Sequence, residues 1–141
     1  MHIRKIEKND YNKNYINLLS QLTVVGNITQ YQFNNFIDIL NDDHQIWVIE
    51  INNQIIATGT IVKEQKLIHN CGKVGHIEEI VVDNNYRNLQ LGQKIVEHLI
   101  NCSTDCYKIN LTCNEKLEKF YNKCELTKTG LTMSKYNLKS Y

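Results

Sequence analysis

Gly75-His76-Ile77-Glu78-Glu79-Ile80-Val81-Val82 is the stretch on which the fold turns. Its close, Ile80-Val81-Val82, is apolar and β-branched, so a strand is predicted from about Lys73 to Val82. That strand runs into Asp83-Asn84-Asn85-Tyr86-Arg87-Asn88-Leu89-Gln90-Leu91-Gly92. Leu91, Ile95, Val96, Leu99 and Ile100 then share one helical face, so a helix begins near Leu91. A strand, a polar loop and a helix N-terminus together aim several backbone N–H groups at one spot, an arrangement that holds phosphate. With one glycine in the loop, the same pattern also describes an ordinary strand-to-helix turn. Two adjacent carboxylates in such a strand are the second unusual feature, because burying unpartnered charge costs several kcal/mol. Either Glu78 and Glu79 lie on opposite faces, one solvated and one paired with a lysine, or one of them is functional.

Upstream of this stretch, Ile46-Trp47-Val48-Ile49-Glu50-Ile51, the pair Asn52-Asn53 and Gln54 to Val62 read as a β-hairpin. The polar residues Lys63 to Lys66 read as a connection. Before the hairpin, Thr29-x-x-Gln32 is a capping box, and Phe33, Phe36, Ile37 and Leu40 form the stripe of the helix behind it. His2 to Glu7 suits a short first strand. Asp10 suits the N-cap of a helix through Leu22 with Tyr15, Leu18, Leu19 and Leu22 on one face. Downstream, Tyr107 to Cys113 reads as a strand, Asn114 caps a helix carrying Leu117, Phe120, Tyr121 and Cys124, and Leu131 to Leu138 closes as a last strand. The order β-α-α-β-β-β-α-β-α-β describes one mixed α/β domain over residues 1–141.

The 141 residues, 42% hydrophobic and 22% charged with a formal charge of +1, exclude a disordered chain and a nucleic-acid binder led by a basic face. No apolar run reaches the roughly 20 residues that span a bilayer, and the start, Met1-His2-Ile3-Arg4-Lys5, lacks a signal peptide's apolar core. A cytoplasmic protein without membrane or nucleic-acid partners is the expectation. Cys71, Cys102, Cys106, Cys113 and Cys124 make an odd set with no C-x-x-C pair, read as reduced and mostly buried thiols. His2, His44, His69, His76 and His98 show no ligand spacing, so no metal is expected.

With these residues in place, the chain resembles the GNAT acetyltransferase superfamily. Its members carry an Arg/Gln-x-x-Gly-x-Gly/Ala loop that grips the pyrophosphate of CoA. Arg87-Asn88-Leu89-Gln90-Leu91-Gly92 matches at its first and last positions and carries Gln90 where glycine is usual. More selectively, Leu67-Ile68-His69-Asn70-Cys71-Gly72-Lys73-Val74-Gly75-His76-Ile77-Glu78-Glu79-Ile80 is similar to the signature of glucosamine-6-phosphate N-acetyltransferases. Cys106 to Ile109, Lys119 to Cys124 and Leu22 to Thr29 resemble further segments of that family.

The resemblance implies a central mixed, mostly antiparallel sheet flanked by about four helices, and acetyl transfer from acetyl-CoA to an amino-sugar phosphate. In biosynthesis that is a step towards UDP-N-acetylglucosamine. Thr23, Lys66, Leu67, Ile68, His69, Glu78, Glu79, Ile80, Tyr107 and Lys108 would line the sugar phosphate. Ile80, Val81, Val82, Arg87, Asn88, Leu89, Gln90, Leu91, Gly92, Gln93, Tyr121, Asn122 and Lys123 would meet acetyl-CoA. Three positions depart from the family. Its Glu-Asp pair is Glu78-Glu79, its amine-orienting aspartate of the fifth strand is Thr112, and its arginine that reaches the neighbouring subunit's sugar phosphate aligns near Lys135-Tyr136. A homodimer is implied with it.

The residue types suit the reaction. A neutral amine attacks the thioester, negative charge gathers on the carbonyl oxygen, and backbone N–H groups near Ile80 and Val81 are placed to hold it. Glu78 is the candidate proton acceptor, direct or through water. From spacing alone Tyr121 is a core aromatic beside Phe120, whereas the resemblance makes its hydroxyl the donor to the departing sulfur. Lys63, Lys66 and Lys73 are either a solvated face or the counter-charges of a phosphate. Two other readings share the pattern, a different small-amine acetyltransferase and a non-catalytic acyl-CoA-binding module.

Overall fold

A computed structural model describes residues 2–138 of the chain. One sheet holds five strands in the order β1 (Ile3–Lys5), β2 (His44–Ile51), β3 (Gln54–Gln65), β4 (Lys73–Val82) and β5 (Cys106–Asn110). β1 to β4 pair antiparallel, and β5 lies parallel to β4. The helices are α1 (Tyr15–Ser20), α2 (Gln30–Asp38), the single turn α3 (Ile68–Cys71), α4 (Leu91–Asn101) and α5 (Glu118–Asn122). This is the mixed α/β layout anticipated above.

Each face of the sheet buries its own cluster. On one, α4 lays Ile95, Val96 and Leu99 over Ile49, Ile61 and Ile77. On the other, Tyr15, Leu18 and Phe33 from α1 and α2 cover Ile46, Val48 and Val81. Gly59 lets α4 come that close, since a Cβ there would collide with Ile95 and sit 2.6 Å from Ile80 Cδ1. The capping box holds as read: Gln32 N–H donates to Thr29 Oγ1 at 3.1 Å, and Thr29 N–H donates to Gln32 Oε1 at 2.9 Å. Asn52 and Asn53 both take positive φ, 50° and 62°, which suits the tight turn joining β2 to β3.

Several expectations need correction. Asp10 does not begin a helix to Leu22. A 3₁₀ turn spans Lys8–Lys13, Asn14 breaks it at φ 70°, and α1 then runs only from Tyr15 to Ser20. The cap is Glu7, and Asp10 lies inside the turn accepting Glu7 N–H at 2.8 Å. Leu22 is consequently 45% exposed. Lys63 to Gln65 are not a connection but the end of β3, paired with Lys73 to Gly75. β5 stops at Asn110, so Thr112 and Cys113 lie beyond the strand. The segment 131–138 is no strand: Leu131, Met133, Tyr136 and Leu138 stand 72–92% exposed. Open edges exist at β5 and along the end of β4, but among the described residues this segment pairs with neither. Of the five thiols only Cys124 is buried, while Cys71 and Cys113 are exposed.

Candidate active site

The centre of the site is a break in β4. Thr58 pairs with Val81 and Thr60 with Glu78, so β4 holds one residue more than β3 across the same span. Glu79, at φ 53°, takes up the extra residue as a β-bulge. A bulge interrupts alternation, and its effect on the two carboxylates is direct. Ile77 and Ile80 both face the α4 side, whereas Glu78, opposite Thr60, faces α1 and α2. Glu79 turns to the same side, near enough that its charge helps burial to raise the pKa of Tyr15. The first of the two anticipated arrangements, opposite faces with a lysine on one, does not occur. Both carboxylates are exposed, and neither forms an ion pair among the described residues.

β4 also parts from its parallel neighbour here. The last β4–β5 pair is His76 with Asn110, and β4 runs on to Val82 with that edge free. Asp83 N–H donates to Ile56 O at 2.8 Å. Alternation from that bond turns Val81 N–H towards β3 and leaves the N–H groups of Ile80 and Val82 facing the open edge. The pair of free donors is therefore Ile80 and Val82, which corrects the expectation of Ile80 and Val81. Arg87 Nε donates to Val82 O at 3.2 Å, anchoring the following loop to the same edge.

That loop is a 3₁₀ turn, Asn84–Leu89, opened by Asp83, whose carboxylate accepts Asn85 N–H at 2.9 Å. Gln90 follows at φ 59° and ψ 25°, the left-handed conformation that glycine adopts freely. As N-cap of α4 it makes no side-chain cap bond, so the first N–H groups of the helix, at Leu91, Gly92 and Gln93, have no side-chain acceptor. An uncapped helix N-terminus beside a free strand edge fits a pyrophosphate followed by an extended chain that pairs with β4. Asn88 and Leu89 sit exposed on the loop, with Leu89 at 50%.

Tyr121 reaches this place from α5. Phe120, its T-shaped neighbour at 4.9 Å, packs where a Cβ on Gly92 would meet its ring at 3.2 Å. α5 therefore lies against the start of α4, with Tyr121 half-buried on the α4 side and Asn122 and Lys123 at its end. Burial, with Cys113 and Cys124 nearby, pushes the Tyr121 phenol up, so it keeps its proton. Glu78 lies on the α1 and α2 face of the sheet, and Tyr121 packs against the cluster on the α4 face.

The sugar-side residues fall into two groups. Leu67 and Ile68 are 87% and 61% exposed at the start of α3, whose His69, Asn70 and Cys71 are all left-handed, with φ between 51° and 59°. His69 stacks on Tyr107 of β5 at 4.0 Å, and Tyr107 in turn packs on Gly72. Lys108 neighbours Tyr107, is exposed and has no ion pair among the described residues. Thr23 is exposed after α1, and Lys135 lies in the extended tail. Thr112 Oγ1 shares a hydrogen bond with Thr132 Oγ1 at 3.1 Å, so it ties that tail to the end of β5. The three lysines read as phosphate counter-charges are already matched: Lys63 by Asp105, Lys66 by Glu64 and Lys73 by Asp43, at 2.8–2.9 Å.

Spacing gave no sign of Gln65. Its Nε2 donates to Cys71 O at 2.7 Å and Lys66 O at 3.1 Å, stapling both ends of the left-handed turn that carries Leu67 to His69. Only the folded turn reveals it. A hollow of about 300 Å³ lies elsewhere, lined by Ile6, Ile37, Leu40, His44 and Ile46 at the β1–β2 end of the sheet, away from the free edge of β4.

Comparison with known proteins agrees with this geometry. The family model described as the Acetyltransferase (GNAT) family matches residues 8–125. The chain is 45% identical over 141 residues to the glucosamine 6-phosphate N-acetyltransferase of Arabidopsis thaliana, covering 95% of each. It is 42% identical over 140 residues to glucosamine 6-phosphate N-acetyltransferase 1 of Dictyostelium discoideum, covering 94% of this chain and 88% of that one. The crystal structure of the Arabidopsis enzyme superposes with a TM-score of 0.94 at 43% identity, over 96% of this chain and 97% of that one. The bulged, unzipped β4 and the uncapped start of α4 thus sit in a chain that belongs to the GNAT acetyltransferase family.

Proposed function

We propose that this chain transfers acetyl from acetyl-CoA to the amine of glucosamine 6-phosphate, giving N-acetylglucosamine 6-phosphate and CoA. The observation that carries the reading is the near-full-length match to relatives of that name at 42–45% identity. In this reading acetyl-CoA supplies the acetyl group as a thioester. The first turn of α4 and Arg87 to Gln93 hold its pyrophosphate, and the free edge of β4 aligns its extended arm. Ile80 and Val82 N–H groups hold the charge that gathers on the carbonyl oxygen as the N–C bond forms. Glu78 accepts the proton the amine loses, and the Tyr121 hydroxyl donates to the sulfur as the C–S bond breaks.

Lys108 and Lys135 form no ion pair among the described residues and are the cations proposed to meet the sugar phosphate, whereas Lys66 is matched by Glu64. The exposed apolar tail, 131–138, supports a homodimer in which it packs on the neighbouring chain and brings Lys135 to the neighbour's site. Sedimentation checks this, and an active monomer would refute it. Five free thiols suit the reducing cytoplasm. No helix among the described residues is long and apolar enough to cross a membrane. The main test is thiol release from acetyl-CoA with glucosamine 6-phosphate and with glucosamine. A site built for the phosphate acetylates the phosphorylated sugar far faster. Equal rates would defeat the reading.

A further inference from the structure

Thr60 lies at the middle of β3, 4% exposed, and its Oγ1 is buried without a hydrogen-bond partner among the described residues. Thr58, two residues earlier on the same face, is fully used. It donates to Trp47 O at 3.0 Å, and with its only proton so committed it accepts from Tyr15 Oη at 3.3 Å. The β2 neighbour of Thr60 is Ile46, which offers no polar side-chain atom. Its β4 neighbour is Glu78, the last residue in register before the bulge at Glu79. Directly opposed side chains have Cβ atoms about 4.5–5.5 Å apart, within reach of a hydroxyl and a carboxylate or of one water between them. A lone buried hydroxyl is costly, and valine, of the same shape, carries no such cost.

We propose that Thr60 is the positioning residue for Glu78. Its hydroxyl donates to one carboxylate oxygen, directly or through a single water, and leaves the other oxygen aimed at the free edge of β4 to take the amine proton. A carboxylate held at one oxygen keeps its lone pairs where the amine arrives, whereas an untethered one swings in solvent. The bulge explains why the tether comes from β3, since it removes the regular β4 neighbour that would otherwise restrict Glu78. This inference rests on Glu78 as proton acceptor.

The experiment compares Thr60→Val, Thr60→Ser, Glu78→Gln and the double variant Thr60→Val/Glu78→Gln, by steady-state kinetics with glucosamine 6-phosphate and by thermal melting. Thr60→Val is expected to keep or raise Tm, to leave acetyl-CoA affinity and KM for the sugar near their original values, and to lower kcat about 10- to 100-fold. Thr60→Ser, which restores the hydroxyl, is expected to recover most of kcat. In the Glu78→Gln background Thr60→Val is expected to change kcat little further, because the two act as one unit. Wild-type kcat in Thr60→Val, or the same fall in both backgrounds, overturns the proposal. So does wild-type kcat in Glu78→Gln, which also shows that the acceptor lies elsewhere. Failure of the sugar itself as acceptor is separate, since it shows with the unmodified enzyme.

Discussion

Asp10 and Glu78 are both carboxylates set beside another carboxylate, and the chain treats them in opposite ways. Asp10 is fully buried, yet both of its oxygens accept hydrogen bonds. Arg4 grips it with both guanidinium nitrogens at 2.8 and 2.9 Å, Lys13 stands at 3.9 Å, and Glu7 N–H donates to it. The same Arg4 and Lys13 neutralise Glu50 and hold its carboxyl below the usual range. At Glu78 and Glu79 there is no cation among the described residues, the backbone is bulged, and a buried hydroxyl beneath is unpaired. One acidic pair is finished for stability. The other is left incomplete, which is the condition for meeting a substrate.

The largest effect expected of any change falls on the incomplete side. Tyr121→Phe keeps the ring against Phe120 and removes the hydroxyl proposed to donate to the sulfur, so kcat should fall about 10²- to 10⁴-fold with KM little changed. Glu78→Gln should fall within the same range near neutral pH. Its deficit should shrink as pH rises and the amine loses its proton unaided. Both proteins should melt within about 2 °C of the unmodified chain, because Phe keeps the ring packing and Gln keeps an oxygen that can accept from Thr60. Near-normal kcat in Tyr121→Phe would make the tyrosine a packing residue only. A large drop in Tm for Glu78→Gln would show that the contrast with Asp10 is false.

On the finished side the readout reverses. Asp10→Ala leaves Arg4 half-matched and Glu7 N–H without its acceptor, and breaking a buried pair in this way costs about 3 kcal/mol. Tm should drop by on the order of 10 °C, while kcat measured where the variant stays folded is unchanged. If kcat fell with Tm, the charge cluster around Asp10 would reach the active site after all.

Acid provides a milder break of Glu50 in that cluster and of two paired carboxylates outside it. Glu50 is held down by Arg4 and Lys13, Glu64 by Lys66 and His76, and Asp105 by Lys63. A carboxylate whose folded pKa is depressed contributes stability above its unfolded value, near 4.5 for glutamate, and loses it as pH falls through the folded value. Tm should therefore hold down to about pH 5 and decline below it, and the decline should weaken in Glu50→Gln. Glu64 and Asp105 are exposed and Glu50 is only partly buried, so salt should blunt the effect as well. A Tm that rose on acidification would reverse the sign.

Local signals were legible and relations between distant segments were not. The Thr29–Gln32 box, the Asn52-Asn53 turn and the span of β4 each depend on a few adjacent residues, and all three stand as read. The loop before α4 was legible for the same reason. The bulge was not, because whether Glu79 is an extra residue depends on Thr58 and Thr60, some twenty positions away. Lys63 to Gln65 looked like a connection because they are polar, yet pairing with β4 keeps them in the sheet. Thr60 reads from sequence as an ordinary strand residue, and only its burial without a partner distinguishes it. The tail looked like a strand because its composition allows one, but a strand also needs a ladder partner, and among the described residues the tail pairs with none.

The smallest effects separate the two helix starts that mirror the two acidic pairs. α2 is closed by its capping box, so Thr29→Ala should cost about 1 kcal/mol and leave acetyl-CoA affinity untouched. α4 begins at Gln90 with no cap bond and a left-handed backbone that costs a side-chain-bearing residue roughly 1–2 kcal/mol. Gln90→Gly removes that strain and adds freedom to the unfolded chain, which offsets about half of the gain. Tm should rise by about 1–3 °C, and acetyl-CoA affinity should hold or improve, since the N–H groups proposed to meet the pyrophosphate belong to the backbone. Thermal shift with and without saturating acetyl-CoA separates the two contributions, because bound ligand adds its own increment by mass action. A variant with lower Tm and weaker acetyl-CoA binding would mean that the Gln90 side chain itself contacts the ligand, and that the start of α4 is finished by a residue rather than left open.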